Sequence, residues 1–462
     1  MRKRQPKPKG VDTARRNLIK ATGFLGVAAL AGSATPTLVK PSAPMDAGLP
    51  APKILTGKTA ADIFQVKPDF KRFDVRNTSF TRSATDPNSI AYLAAAKYTL
   101  VFEQRVRNDE VGFRLQDYAL YNAALTVATA TGSGLGNRDA GLYKWTSLGA
   151  AKVPYNVSKL DREPGEMAAI VKKAAKGLGA SLVGLCELDR RWVYANDTIG
   201  RPIVFEDVSA PYANDDKVVI PNSFRSVVVL ATLMDISMVK YAPYGISAAG
   251  VWGGYDNMPI IAARVAEFIR GLGWQAIPMG NDTMLSIPLA IDAGLGQFGR
   301  ICRLVTPQYG PNIRLMKVLT DLPLSYDAPI DFGLTEFCNN CKKCVQACPP
   351  QALPYGDPSY QGTTPSEMTG ILKWQQQSDK CLRWWGQVGT GCAICIRVCP
   401  WTNGIMHNNG LAQDVAMNVP QLDHTLRQLD DDFGNGVLTN PATFWTGSKS
   451  YGPQPNPSPS PQ

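Results

Sequence analysis

Eight of the ten cysteines in this 462-residue chain fall between positions 338 and 399, and their spacing constrains the fold more than any other feature. Cys338, Cys341, Cys344 and Cys348 form C-x2-C-x2-C-x3-C, followed by Pro349. In such a run three close thiolates grip one [4Fe–4S] cubane and the fourth reaches a neighbouring cluster. A second set begins at Cys381 and continues with Cys392, Cys395 and Cys399 before Pro400. The same crossover assigns Cys338, Cys341, Cys344 and Cys399 to one cluster, and Cys348, Cys381, Cys392 and Cys395 to the other. Zinc prefers paired C-x2-C clips with a long spacer and has no use for the trailing Cys-Pro. Residues 331–403 are therefore expected to form a ferredoxin-like domain holding two [4Fe–4S] clusters. Two clusters conduct electrons but supply no reaction, and they occupy a small part of the chain. Cys186 and Cys302 lie in apolar, strand-like runs and read as packing residues.

The formal charge of +10 invites a nucleic-acid reading until it is located. Residues 1–47 hold nine Lys/Arg against Asp12 and Asp46, a net of +7 that leaves only +3 for the rest. No nucleic-acid partner is expected from so small a charge. The basic character belongs to a leader with a basic start, an uncharged stretch from Ala21 to Val39 and small residues near Ala29-Leu30-Ala31. Ala14-Arg15-Arg16-Asn17-Leu18-Ile19-Lys20 is a twin-arginine pattern, with Ala and Leu where Ser/Thr and Phe are usual. The strongly apolar part, Phe24 to Ala31, is too short to span a membrane. Residues 1–47 are read as an export signal of the twin-arginine route, which carries proteins already folded around their cofactors. Residues 451–462, rich in Pro, Ser, Gln and Asn, are expected to be a disordered tail to a C-terminal extension at 404–462.

Between the leader and the clusters, residues 48–330 read as a mixed α/β, or α+β, body. Pro164 to Leu178 carries apolar residues at helical spacing, with proline in its first turn and Gly179 past its end. An extended run at 181–186 follows, and Ser226 to Leu233 reads as a buried strand. A second helix is expected from Pro259 to Leu272, followed by a strand at 274–278. Gly294-Leu-Gly-Gln-Phe-Gly299 matches G-x-G-x-x-G, but a helical stretch precedes it and an extended one, Ile301 to Val305, follows. That order is wrong for a dinucleotide site; a tight loop where another backbone or a cofactor approaches is the better reading.

With only His407 and His424, the chain lacks the residues for a metal site of three or more histidines. His424 reads as lying on a surface helix and His407 in a Gly/Asn loop.

The twin-arginine leader, Thr306-Pro-Gln-Tyr-Gly-Pro311, Arg314 to Leu324, Pro329-Ile-Asp-Phe-Gly333 and the two cysteine runs together resemble the catalytic subunit of respiratory reductive dehalogenases. The match is strong from about 220 to 403 and only in outline over 48–220. The resemblance implies a nitroreductase-like, corrinoid-binding body beside the two clusters. It implies electrons passing through the clusters to cobalt, which removes halide from an organohalide. With histidine so scarce, the corrinoid is expected to be base-off, with no histidine of this chain on cobalt. The family's catalytic tyrosine maps to Tyr255, ahead of the helix at 259; its anion-binding arginine maps to Arg314 and a pocket asparagine to Asn281. Trp385 and Phe80 map to an aromatic lid. Replacing halogen by hydrogen needs a proton source, a place for negative charge and a dry pocket. A tyrosine can be that source where a guanidinium stabilises its anion.

The resemblance further implies a terminal reductase of organohalide respiration, peripheral at the outer face of the cytoplasmic membrane. Its partners are expected to be a small integral-membrane anchor subunit and an upstream membrane electron donor, since the chain shows no flavin module and no anchor of its own. Epoxyqueuosine reductase, which also uses a corrinoid and two clusters, acts on tRNA in the cytoplasm and fits neither the leader nor the charge. A bare electron-transfer subunit leaves most of the chain without a purpose.

Overall fold

The structure, a computed structural model, describes residues 48–132, 136–149 and 153–446. The twin-arginine leader and the tail at 451–462 lie outside the described residues. The elements that position the site are, in chain order, α1 (Ser79–Thr85), α2 (Ala94–Arg107), α3 (Pro164–Gly177), β1 (Leu182–Glu187), β2 (Ser226–Leu233), α4 (Gly245–Gly271), β3 (Ala276–Met279), α5 (Ser286–Asp292), β4 (Ile313–Thr320), α6 (Leu334–Cys341), α7 (Ser378–Val388) and α8 (Asp423–Asp432).

The strands form one antiparallel sheet in the order β1-β2-β4-β3. Both faces are covered, which is why β2 reads as a continuous apolar run, Ser-Val-Val-Val-Leu-Ala-Thr-Leu. Side chains alternate across a strand, and here the alternation sorts two cores. Val228 and Leu230 of β2 with Met316 and Val318 of β4 pack under α3 and α4, against Met167, Val171, Met258, Val265 and Ile269. Val227, Val229 and Ala231 with Ile313 and Leu319 face the other way, toward α5 and Trp192. On β4, Arg314 therefore shares the α4 side and Lys317 the opposite side. This parity sets the chemistry of the site.

The helix expected from Pro259 begins much earlier. It runs over 27 residues from Gly245, with Pro259 inside it, so Tyr255 is helical rather than ahead of the helix. An interior proline costs about 3 kcal/mol and removes the bond its N–H would make to the carbonyl four residues back, here Tyr255. Burial outweighs that cost. Met258, Ile261, Val265 and Ile269 are at most 5 % exposed, and each large apolar side chain fully buried contributes about 1.5–3 kcal/mol. The early turns are glycine-rich because neighbours press on them: a Cβ at Gly254 would stand 3.0 Å from Arg314 Cγ.

Ile301 to Val305 is extended only at Leu304–Val305. Cys302 instead occupies a turn with φ +57°, 6 % exposed, its thiol donating to Trp374 O at 3.3 Å. The glycine-rich loop before it is a close approach of backbones, since a Cβ at Gly296 would lie 2.1 Å from Val305 O. Helix α8 is tied to the cysteine-rich region by Lys343, whose ammonium donates to the fully buried Asp430 at 2.5 Å.

Candidate active site

The structure sorts the eight clustered thiols into two quartets. Cys338, Cys341, Cys344 and Cys399 line one small cavity with Ile301, Leu334, Phe337 and Trp401. Cys348, Cys381, Cys392 and Cys395 line a second, much larger one. Among the described residues no group of three or more His, Cys, Asp or Glu side chains converges on a single-ion site. Each quartet brackets a cavity instead, the arrangement that a cubane with one iron per thiolate requires. Burial, and then neighbouring thiols of the same quartet, push these groups up: Cys381 to about 12, with Cys395 and Cys348 as its thiol neighbours, and Cys344 well above its ordinary value, chiefly with Cys338, Cys399 and Cys341. Cys344 and Cys395 pack against the same small apolar cluster around Val345 and Cys348, so the two cavities adjoin. Thiols this deeply buried become ligands when cationic metal offsets their charge.

Arg300, 2 % exposed, clamps the first cavity's rim. It donates to the carbonyls of Cys338, Pro354, Tyr355 and Gly356 at 2.7–3.0 Å and to Asn339 Oδ1 at 3.0 Å, and it stands over the Trp374 ring at 4.7 Å. The expectations from sequence did not include it. Its only signal was an arginine directly after the glycine loop.

The larger cavity, about 350 Å³, brings together residues that are far apart in the chain. Tyr255, Asn281, Arg314, Phe80 and Trp385 all line it with the second quartet. Arg314 stands over the Tyr255 ring, 4.4 Å from its centroid. That follows from parity: Arg314 points toward α4, and Gly254 leaves room for its stem. Burial lowers the guanidinium's pKa and Tyr255 opposes the shift. No described carboxylate lies in ion-pair range of it, and its Nε has no hydrogen-bond partner among the described residues. A buried donor without a partner is costly and is what a site kept for an anionic group looks like. Trp252 also packs on Tyr255, with ring centroids 5.0 Å apart.

Phe80 of α1 and Trp385 of α7 meet edge to face at 5.7 Å. A buried ion pair, Arg82 to Asp379 at 2.6 Å, holds these two helices together behind the rings. Trp384, also in the wall, and Arg303 were missed from sequence. Arg303 donates to Gln376 Oε1 at 2.5 Å and lowers the Cys395 and Cys381 thiols against the rise from burial. A further cavity of about 350 Å³ adjoins the first, sharing Asn281, Ser286, Ile287, Arg303 and Gln376 in its walls. Neither histidine lines either cavity: His424 is exposed on α8, and His407 is partly buried, its pKa lowered by that burial.

Residues 190–324 match the family model of the reductive dehalogenase subunit, and residues 337–402 that of a 4Fe-4S double cluster binding domain. The chain is 36 % identical over 324 residues to the tetrachloroethene reductive dehalogenase of Sulfurospirillum multivorans, covering 67 % of this chain and 64 % of that one. It is 26 % identical over 329 residues to the trichloroethene reductive dehalogenase of Dehalococcoides mccartyi, covering 62 % and 58 % respectively. It thus spans less than two thirds of the length of either relative. The fold is similar to that of a catabolic reductive dehalogenase solved with 3-bromo-4-hydroxybenzoic acid, with a TM-score of 0.59 at 22 % identity, covering 86 % of this chain and 50 % of that one. A reductive dehalogenase structure described for B12-dependent dehalogenation also gives a TM-score of 0.59 at 22 % identity, covering 81 % and 48 %.

Proposed function

The chain belongs to the reductive dehalogenase family, and from that premise we propose that it removes halide from an organohalide, with electrons passed through two [4Fe–4S] clusters to the cobalt of a base-off corrinoid. The observation that carries this reading is the Arg314–Tyr255 contact at 4.4 Å in a cavity walled by four thiols of one quartet.

The residues fit a corrinoid. Two adjoining cavities of about 350 Å³ each, the first of them lined by the second quartet, have largely apolar walls and share a few polar groups. Asn281, Ser286, Arg303 and Gln376 are of the type that bonds the amides at a corrin's rim. The remoteness of both histidines supports the base-off form. Bound there, the corrinoid supplies the low-valent cobalt that drives cleavage of the carbon–halogen bond.

Exchange of halogen for hydrogen consumes two electrons and one proton and releases halide. The chain's own part is the proton, the charge and the dryness. The Tyr255 hydroxyl donates its proton to the carbon that loses halogen. Arg314 offers fixed positive charge to the resulting phenolate, and its planar group keeps contact with the ring. The Asn281 amide orients the substrate. Trp384, Trp385 and Phe80 keep water out, which strengthens each of these interactions.

Two tests apply. Anaerobically purified full-length protein should show corrin absorption above the iron–sulfur shoulder and release halide from some of a panel of chlorinated and brominated ethenes, ethanes and phenols. Absence of corrin from fully iron-loaded protein, or no halide from any of the panel with a strong artificial reductant, overturns the reading. Arg314→Lys replaces a stacked planar cation by a compact one. A desolvated cation–π contact is worth about 2 kcal/mol, so turnover should fall roughly thirtyfold while iron and corrin contents hold.

The Ala14–Lys20 pattern supports export by the twin-arginine route. On this reading the enzyme is a terminal reductase of anaerobic organohalide respiration, peripheral at the outer face of the cytoplasmic membrane. It docks on a small integral-membrane anchor subunit and draws electrons from an upstream membrane donor. Among the described residues no helix is long and apolar enough to cross a membrane.

A further inference from the structure

Lys317 is fully buried in the central strand β4, on the sheet face opposite Arg314. Nothing in the dehalogenation scheme uses it. A lysine at 0 % exposure is rare unless its ammonium is fully engaged. Its Nζ donates to Gly280 O, to Met284 O at 2.9 Å and to Ser286 Oγ at 3.0 Å. All three acceptors belong to one segment, Gly280–Ser286, which is the loop after β3 together with the first residue of α5.

That loop has an uncommon conformation. Thr283 takes φ +63° although it is β-branched and only 9 % exposed. Left-handed backbone at such a residue persists only where the surroundings over-determine it. The determinants are visible. The Asp282 carboxylate accepts from Gly280 N–H and Thr283 O–H, both at 2.8 Å. Thr283 O accepts from Tyr194 N–H at 2.9 Å, and Leu285 N–H donates to Trp192 O at 2.8 Å. Lys317 grips both ends of this segment, at Gly280 and at Met284 and Ser286. Asp282 is the charge that faces it: burial pulls Lys317 down to about 8 and lifts Asp282, and each opposes the other's shift.

The loop carries Asn281 and Ser286, and both line both cavities. We propose that Lys317 is the positioning residue of the pocket, holding the Gly280–Ser286 loop in its strained form so that Asn281 meets the substrate. The functional consequence rests on the dehalogenase reading; the mechanical one does not.

Hydrogen exchange on full-length, iron-loaded protein separates the two. Lys317→Met keeps the stem's bulk and removes all three donors. Peptides covering 280–286 should exchange at least about tenfold faster, with those of β2 and β4 unchanged. Ser286→Ala removes one acceptor and should give a smaller rise in the same peptides. In turnover, a displacement of about 1 Å costs on the order of 10²-fold, so kcat of Lys317→Met should fall by that order while KM changes little. Unchanged loop exchange, or protection lost evenly over the sheet, overturns the proposal, as does a loosened loop with unchanged kcat. If Lys317→Met does not fold, Ser286→Ala decides alone: faster exchange confined to 280–286 supports the clamp, and no change refutes it. If no organohalide is turned over by the wild type, the exchange result still stands or falls by itself.

Discussion

Tyr255→Phe is expected to lose about 10²–10⁴-fold in turnover, the usual worth of general acid catalysis, while keeping both clusters and the corrinoid. The substitution retains the ring that packs on Trp252 at 5.0 Å and beneath Arg314 at 4.4 Å, and removes only the hydroxyl. Neither histidine lines the cavity. Among the cavity-lining side chains Tyr255 is the hydroxyl-bearing acid that stands beside a guanidinium. The deciding measurement is the rate of the cofactor-replete variant with a strong artificial reductant. Near wild-type turnover there means the proton comes from elsewhere.

Cys348→Ala is expected to damage the cluster held by Cys381, Cys392 and Cys395, and to abolish reduction at the pocket. Cys348 is close in sequence to Cys344, yet it lines the cavity of the other quartet with Cys381, Cys392 and Cys395. Its first-cavity neighbours Cys338, Cys341 and Cys344 keep Cys399 as their fourth partner. Iron counting with low-temperature EPR on the variant checks this. Selective loss of the cluster at Cys338, Cys341 and Cys344 instead refutes the crossed assignment.

Much of this was legible before any coordinates, where the controlling physics is local. Three of the four ligands of the first quartet, Cys338, Cys341 and Cys344, sit within seven residues, so that run carries its own geometry. The Pro164 helix and the Ser226–Leu233 strand were legible for the same reason: the first has a proline at its start and a glycine beyond its end, and the second is an unbroken apolar run. Where local signals misled, packing had overridden propensity. Pro259 looked like a helix start because proline suits a first turn, but buried neighbours carry the helix fourteen residues further back through Gly245, Gly250 and Gly254. Cys302 looked like strand because its neighbours are apolar, whereas the chain turns there at φ +57°.

The sequence by itself determined the two cysteine quartets and the unbroken apolar run of β2, the mark of a strand covered on both faces. It could not say what covers those faces. That Arg314 meets Tyr255, and that Lys317 meets Gly280, Met284 and Ser286, was decided by which helix and which loop lie on each side of the sheet. The same holds for Phe80 and Trp385, 305 residues apart and joined by the Arg82–Asp379 pair. Periodicity is a property of one strand or helix; a catalytic pocket is a property of several elements packed together, and the free energy that selects their arrangement is spread over contacts no local pattern records.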